Sequence, residues 1–437
     1  MTSSFSQVNP DRKSKVRAIA GISLGNALEY FDFTLFTFFA IYIGNMAFPK
    51  QSATSQLLFT FGIYGLGFIS RPLGAWFLGR LADTKGRKHT INLILILMAL
   101  GTCLIGLTPS YEQIGIFSPL LILLGRLIQG FSAGGETGTS TTLLAEIAPP
   151  KKRNFYVSFQ GTSQGLAVLL ASVVVLCLNL SLTPEQMHSW GWRIPFFIGL
   201  IIVPVGFYLR KTLDETLETP HPVAKVENNF VEKDNVVAKT SWKKFIPQAI
   251  QGVLLVLSMN AGYTIIQLYM PTYGVQQLHL SPAISTGAVL VGSIVVLIFV
   301  PFGGLLCDRF GSKRMLIISR VLGICLIYPT FLWINNQPSM FTLLSGIAFL
   351  SLIGAMAGAS VFTILTELFP RYCRVTAMSL VYSISVTIGA GFSQFIVTYL
   401  IKVTHNPLSP ALYLVAIGIL SLLALLTIKD KTGLALD

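Results

Sequence analysis

Charge is scarce in this chain of 437 residues. Only 11% of it is Asp, Glu, Lys or Arg, against about 25% in soluble domains, so it cannot build an ordinary water-facing surface. Acid is scarcest: 18 Asp and Glu stand against 31 Lys and Arg, for a net charge of +13. The five cysteines are scattered, without the spacing of a metal or redox centre, so neither a metal nor a cofactor is expected. The five histidines are equally dispersed. No nucleophile, base and acid gather in or beside an apolar run, which argues against an embedded enzyme. The first apolar run is long and holds Glu29 and Asp32, unlike the core of a signal peptide, so no cleavable leader is expected.

Apolar side chains fill the place of charge, at 53% of the chain. They gather in twelve runs, near 18–46, 54–82, 89–109, 114–146, 155–182, 190–211, 242–272, 281–307, 314–335, 338–367, 372–402 and 408–429. Roughly 20 apolar residues suffice to cross ~30 Å of hydrocarbon as a helix, so the expected fold is an all-α membrane protein of twelve spans. Of the 31 Lys and Arg, 25 fall in the two tails and the even-numbered loops, and the odd-numbered loops hold only Lys50 and Lys402. Positive charge marks the cytoplasmic side, so both termini are expected in the cytoplasm. The basic residues are spread over seven short segments, so they do not form a nucleic-acid surface.

One block occurs twice. Gly79 to Lys88 and Gly304 to Lys313 both read Gly-x-Leu-x-Asp-x-x-Gly-x-Lys, or close to it, around Asp83 and Asp308. Each is followed by Glu-x-x-Pro-x-x-x-Arg, at Glu146 to Arg153 and at Glu367 to Arg374. The copies lie about half a chain apart, so the chain divides into two related halves, an arrangement that in membrane carriers clasps a transport site. The expected layout is a cytoplasmic tail (1–17), a six-helix bundle (18–211), a polar linker (212–241), a second six-helix bundle (242–429) and a short tail (430–437).

Ionisable groups within a span are costly and mostly face a cavity. Glu29, Asp32, Arg71, Arg126 and Glu136 are such groups, all in the first half. The second half has no deeply embedded acid. Its one embedded base, Arg320, is expected near the cytoplasmic end of span nine. Asn26, Glu29 and Asp32 recur at steps of three and share neighbouring helix faces. At ~1.5 Å rise per residue the two acids lie roughly 16–21 Å deep. Two carboxylates this close suit proton uptake and release; a packing ion pair with an arginine is the other reading. In span four, Arg126, Gln129, Glu136, Thr137 and Ser140 form a polar stripe. Arg126 can grip a carboxylate through two parallel hydrogen bonds, unless it stands in a salt bridge to Glu29, Asp32 or Glu136. Arg71 is a similar case. Span seven presents Asn260, Tyr263, Thr264 and Gln267 on one side. Span five offers Gln160, Ser163 and Gln164, and span eleven offers Ser379, Tyr382 and Ser383. Each set suits ligand contact or hydrogen bonding between helices.

The duplicated block resembles the cytoplasmic signature of the major facilitator superfamily. Gly25-Asn26-Ala27-Leu28-Glu29-Tyr30-Phe31-Asp32-Phe33, Arg71-Pro72-Leu73-Gly74, Gly125 to Glu136 and Trp190 to Phe197 are similar to its metabolite:proton symporter branch. Within that branch the chain looks most like citrate/tricarballylate carriers, on Gly125 to Gly134 and Met270-Pro271-Thr272-Tyr273-Gly274. The resemblance implies import of a small organic anion with protons, sodium being the other candidate ion, by a monomer in the lipid bilayer. It implies substrate contacts at Arg126, Gln129, Arg71, Asn26, Gln160, Gln164, Asn260, Tyr263, Gln267 and Tyr382. Glu29, Asp32 and Glu136 are the proton candidates. Asp83, Arg87, Glu146, Asp308, Glu367 and Arg374 are expected to form a cytoplasmic gate. A zwitterionic osmolyte such as proline or betaine, or a citrate-built siderophore, is the alternative cargo. Osmolyte carriers tend to have Lys where this chain has Arg126, and a C-terminal coiled coil that it lacks. Thr137 to Thr142 are richer in hydroxyls than in citrate carriers.

Overall fold

The structure is a computed structural model. It describes residues 12–85, 87–134, 136–200, 245–370, 374–430 and 432–434. Among these no strand occurs and helices carry almost the whole chain, as hydrocarbon requires of a backbone that must satisfy its own polar groups. Eight helices are long and apolar enough to cross a membrane. Ile19–Phe38 with Ala40–Ala47, bent by 59°, makes a ninth. The shorter apolar helices Asn92–Leu107 and Phe117–Ala133 are spans three and four. Span six enters as helix at 194–200, and its remainder, with the linker, lies outside the described residues. The architecture is therefore twelve-spanning and all-α.

Local chemistry fixes the span ends. Span eight (Pro282–Phe310) opens with Ser281, whose hydroxyl accepts from the Ile284 N–H, and with proline in the first turn, where its missing N–H costs nothing. It closes at Gly311, whose φ of 98° favours glycine. Span five (Arg153–Ser181) packs lengthwise on span eight, and this pair joins the two halves. At its cytoplasmic end, a Cβ on Gly304 would lie 2.8 Å from the Asn154 carbonyl oxygen. The first repeated glycine of the second block is thus what lets the two backbones meet.

Three spans are irregular. Span seven runs Ile246–Tyr263, then π-helical Thr264–Tyr269, then Met270–Gln276. Span eleven is π-helical at Thr387–Gly391. Span ten breaks between Met340–Ala355 and Gly358–Leu368. Departures of this kind gather at functional positions. The halves touch at both ends. Phe61 meets Tyr269 edge-on toward the outside, and the cytoplasmic contacts described below close the other end.

Candidate transport site and cytoplasmic gate

Span one supplies two acids that go separate ways. Glu29 Oε1 accepts from Arg71 Nη2 of span two at 3.0 Å, and both side chains are buried. The Arg71 guanidinium also stacks on Phe33 and Phe68. Asp32 turns to span three, where Thr102 Oγ1 donates to its Oδ2 at 2.6 Å. Gly199 leaves room for the other carboxylate oxygen; a Cβ there would lie 2.8 Å from it. The neighbouring faces read from the sequence therefore do not hold one carboxylate pair. They hold an ion pair and, one turn on, an acid bonded to a hydroxyl.

Arg126 is fully buried. Its Nη1 donates to Gln129 Oε1 at 2.9 Å, and Gln129 Nε2 donates to Thr102 Oγ1 at 2.9 Å. A chain of bonds thus runs from guanidinium to amide to hydroxyl to the Asp32 carboxylate. Phe33, Phe36 and Tyr64 face the guanidinium at 4.5–4.7 Å, a cation–π box. Nε and Nη2 have no hydrogen-bond acceptor. No described acid pairs with Arg126 at ion-pair distance, so the salt bridges to Glu29 and Asp32 left open by the sequence do not form. The side chain of Glu136 lies outside the described residues.

Thr102 has one hydroxyl proton and two acceptors within reach, Asp32 Oδ2 and the Met98 carbonyl at 2.9 Å. An ionised Asp32 takes that proton in a charge-assisted bond. A protonated Asp32 can donate to Thr102, which then turns to Met98. The hydroxyl's direction is set by the charge on Asp32 and is felt at Gln129 and Arg126.

The remaining candidates divide into two groups. Asn26 and Gln160 bond to each other: Gln160 Nε2 donates to Asn26 Oδ1 at 2.9 Å, and Asn26 Nδ2 donates to Ser163 Oγ at 2.6 Å. They tie span one to span five and do not line the cavity. Gln164, Asn260, Tyr263 and Gln267 do line it, a space of about 160 Å³ set mostly against the second half. Pockets for drug-sized ligands run to roughly 300–1,000 Å³, so this space is small by comparison. Arg126 and Arg71 are not on its walls. Two phenol hydrogen bonds bridge the halves. Tyr263 donates to the Gln164 carbonyl at 3.2 Å, and Tyr30 bonds Tyr382 at 2.8 Å.

The cytoplasmic face is a reciprocal clasp. Arg153 Nη1 donates to Glu367 Oε1 at 2.9 Å, and Arg374 Nη1 lies 3.9 Å from Glu146 Oε1. Each repeated motif thus gives its acid to the other half's arginine. Asp308 accepts from the Asn154 N–H at 2.9 Å, from Asn154 Nδ2 at 3.0 Å and from the Phe155 N–H at 3.0 Å. A carboxylate at the N-terminus of span five also complements the helix dipole. The side chains of Asp83 and Arg87 lie outside the described residues. Sequence reasoning missed Arg153, Asn154, Tyr30 and Thr102. Arg153 could have been found, because it ends the repeated motif. Thr102 carries no signal of its own. Arg320 stands toward the Ser312 end of span nine and also lines the cavity.

Comparison with known proteins agrees with this arrangement. The Major Facilitator Superfamily profile matches residues 22–394 and 288–434. A citrate-proton symporter from Klebsiella pneumoniae is 38% identical over 97% of this chain and 94% of that protein. The proline/betaine transporter of Escherichia coli strain K12 is 32% identical over 95% of this chain and 84% of that protein. Among solved structures, a D-xylose-proton symporter superposes with a TM-score of 0.76 at 18% identity, over 96% of this chain and 99% of the other, a likeness of fold.

Proposed function

This chain belongs to the major facilitator superfamily, and from that premise we propose that it imports a small citrate-like polycarboxylate together with protons. It would sit in a bacterial inner membrane with both termini in the cytoplasm. Bundles 18–211 and 242–429 would rock about the site between them.

One observation carries the reading. Arg126 is a buried cation whose two free N–H groups have aromatic rings in place of a counter-ion. A charge stripped of water in this way is completed by an anion, and an arginine completes a carboxylate through two bonds. In the state described here Phe33, Phe36 and Tyr64, which belong to the same bundle as Arg126, close over the guanidinium, so substrate reaches it when the bundles part and these rings turn aside. Asp32, bonded through Thr102 and Gln129 to the same arginine, is the proton carrier. Its protonation reorients Thr102 and so couples the ion to the occupancy of Arg126. Glu29 is held by Arg71 and serves the packing of spans one and two. The 38% identity to a citrate-proton symporter supports both cargo and driving ion.

The test is uptake of labelled citrate into vesicles under an imposed pH gradient, with unlabelled betaine, proline and a citrate-built chelate as competitors. Citrate should accumulate, be driven by the gradient, and ignore betaine. Arg126→Ala should abolish uptake and Arg126→Lys leave a remnant. Normal uptake by Arg126→Ala would defeat the proposal, and inhibition by betaine would move the cargo to the osmolyte class.

A further inference from the structure

The second half contains a cation with no acid to answer it. Arg320, on span nine (Ser312–Asn336), lines the cavity. Its one described hydrogen bond runs from Nη2 to the Leu255 carbonyl at a long 3.4 Å. Its Nε is buried without an acceptor. Among the described residues no carboxylate lies within ion-pair distance. A guanidinium inside a membrane protein is costly unless something negative visits it.

The walls around it are also donors. Gln164 is 7% exposed and lines the same space, and its Nε2 has no partner. Span ten breaks there. Its second segment, Gly358–Leu368, begins at Ala357 with no side-chain cap, and Ala357 and Gly358 both line the cavity. A Cβ on Gly358 would meet nothing within 4 Å, so a ligand can come close to the backbone. The first N–H groups of a helix are unsatisfied and carry its positive end, and broken helices in carriers aim such ends at anionic cargo. Gln267 Oε1, also on these walls, is a buried acceptor without a partner, placed to receive a hydroxyl.

We propose that Arg320 and the N-terminus of the second segment of span ten, both on the half opposite Arg126, form a second carboxylate subsite together with the Gln164 amide, which span five of the first half lends across the interface. Its ligand is a hydroxylated di- or tricarboxylate. One carboxylate is taken by each half, and the hydroxyl is received by Gln267. A monocarboxylate can satisfy only one arginine, so this subsite selects for polyacids. The inference rests on the anion-import reading and adds that the second half discriminates among anions.

Titration calorimetry on the purified full-length chain tests it, with citrate, tricarballylate, acetate and betaine as ligands. Wild type should bind citrate more tightly than tricarballylate, which lacks the hydroxyl, and both far more tightly than acetate. Arg320→Gln should weaken citrate at least tenfold and leave acetate unchanged, and Arg320→Lys should fall between. Gly358→Val, which fills the space before the helix end without touching the arginine, should weaken citrate too and guards against misfolding of the first variant. Unchanged citrate affinity in folded Arg320→Gln overturns the subsite while leaving citrate import standing. A wild type that binds betaine and no polyacid overturns both.

Discussion

Replacing Asp308 by asparagine should open the cytoplasmic face. The carboxylate of Asp308, from the second half, accepts three hydrogen bonds from the first two residues after Arg153 in the first half. Asparagine has nearly the same shape. Its amide oxygen can keep the two bonds from Asn154. Its NH₂ group then faces the Phe155 N–H, donor against donor. At least one charge-assisted bond is lost, worth about 1.5–3 kcal/mol, together with the favourable charge at a helix N-terminus, about 0.3–1 kcal/mol. Because ~1.4 kcal/mol is tenfold in an equilibrium constant, the closed state should lose roughly twenty- to several-hundredfold against the inward-open one.

Val300 can report this. It is buried on span eight, next to Gly161 of span five, about 12 Å along the helix from Asp308 at ~1.5 Å per residue. In a cysteine-free background, Val300→Cys should react with a membrane-impermeant maleimide applied to inside-out vesicles at least tenfold faster when Asp308→Asn is also present. Glu146→Gln is the control. Its acid is 46% exposed and 3.9 Å from Arg374, a geometry worth about 0–1 kcal/mol, and it should raise the rate far less. Equal rates with and without Asp308→Asn would refute the claim that these bonds hold the cytoplasmic face shut.

Two further predictions follow from the first half. Asp32→Asn removes the acid that directs Thr102. Proton-driven citrate accumulation should be lost while exchange of citrate across equal pH survives, measured as counterflow in proteoliposomes; retained accumulation would remove Asp32 from coupling. Glu29→Gln leaves Arg71 buried beside a neutral amide, and loss of one partner of a buried pair costs about 3–5 kcal/mol. Unfolding in detergent should show that loss, and adding Arg71→Gln should restore part of it.

Hydropathy gave ten to twelve spans, because it follows from transfer between water and hydrocarbon and needs no knowledge of neighbours, and the duplicated block favoured six plus six. The candidate polar residues were legible for the same reason: an embedded Arg or Gln stands out on its own helix. Their partners were not. Asn26 and Gln160 read as ligand contacts until the structure bonded them to each other, and spacing along one helix says nothing about which helix faces it. Thr102 lies in an apolar run where a threonine is unremarkable, yet it sits at the branch of the relay. The position of Arg320 along span nine was legible, but not that the cavity reaches beside it, because that depends on neighbouring helices.

The duplication has different consequences at the gate and at the site. At the cytoplasmic face the two motifs remain equivalent, each acid answering the other half's arginine, so neither half can move without breaking a contact made by the other. Within the membrane the halves differ. The first holds an arginine wired to an acid that can take a proton, and the second holds an arginine with no acid at ion-pair distance among the described residues. On the proposed reading a proton is sensed on the first side, whereas cargo charge is met on both. Coupling then requires the first half to report its protonation across the interface. The Tyr30–Tyr382 bond, two residues from Asp32 along span one and spanning the two halves, is the described polar contact best placed to carry that report.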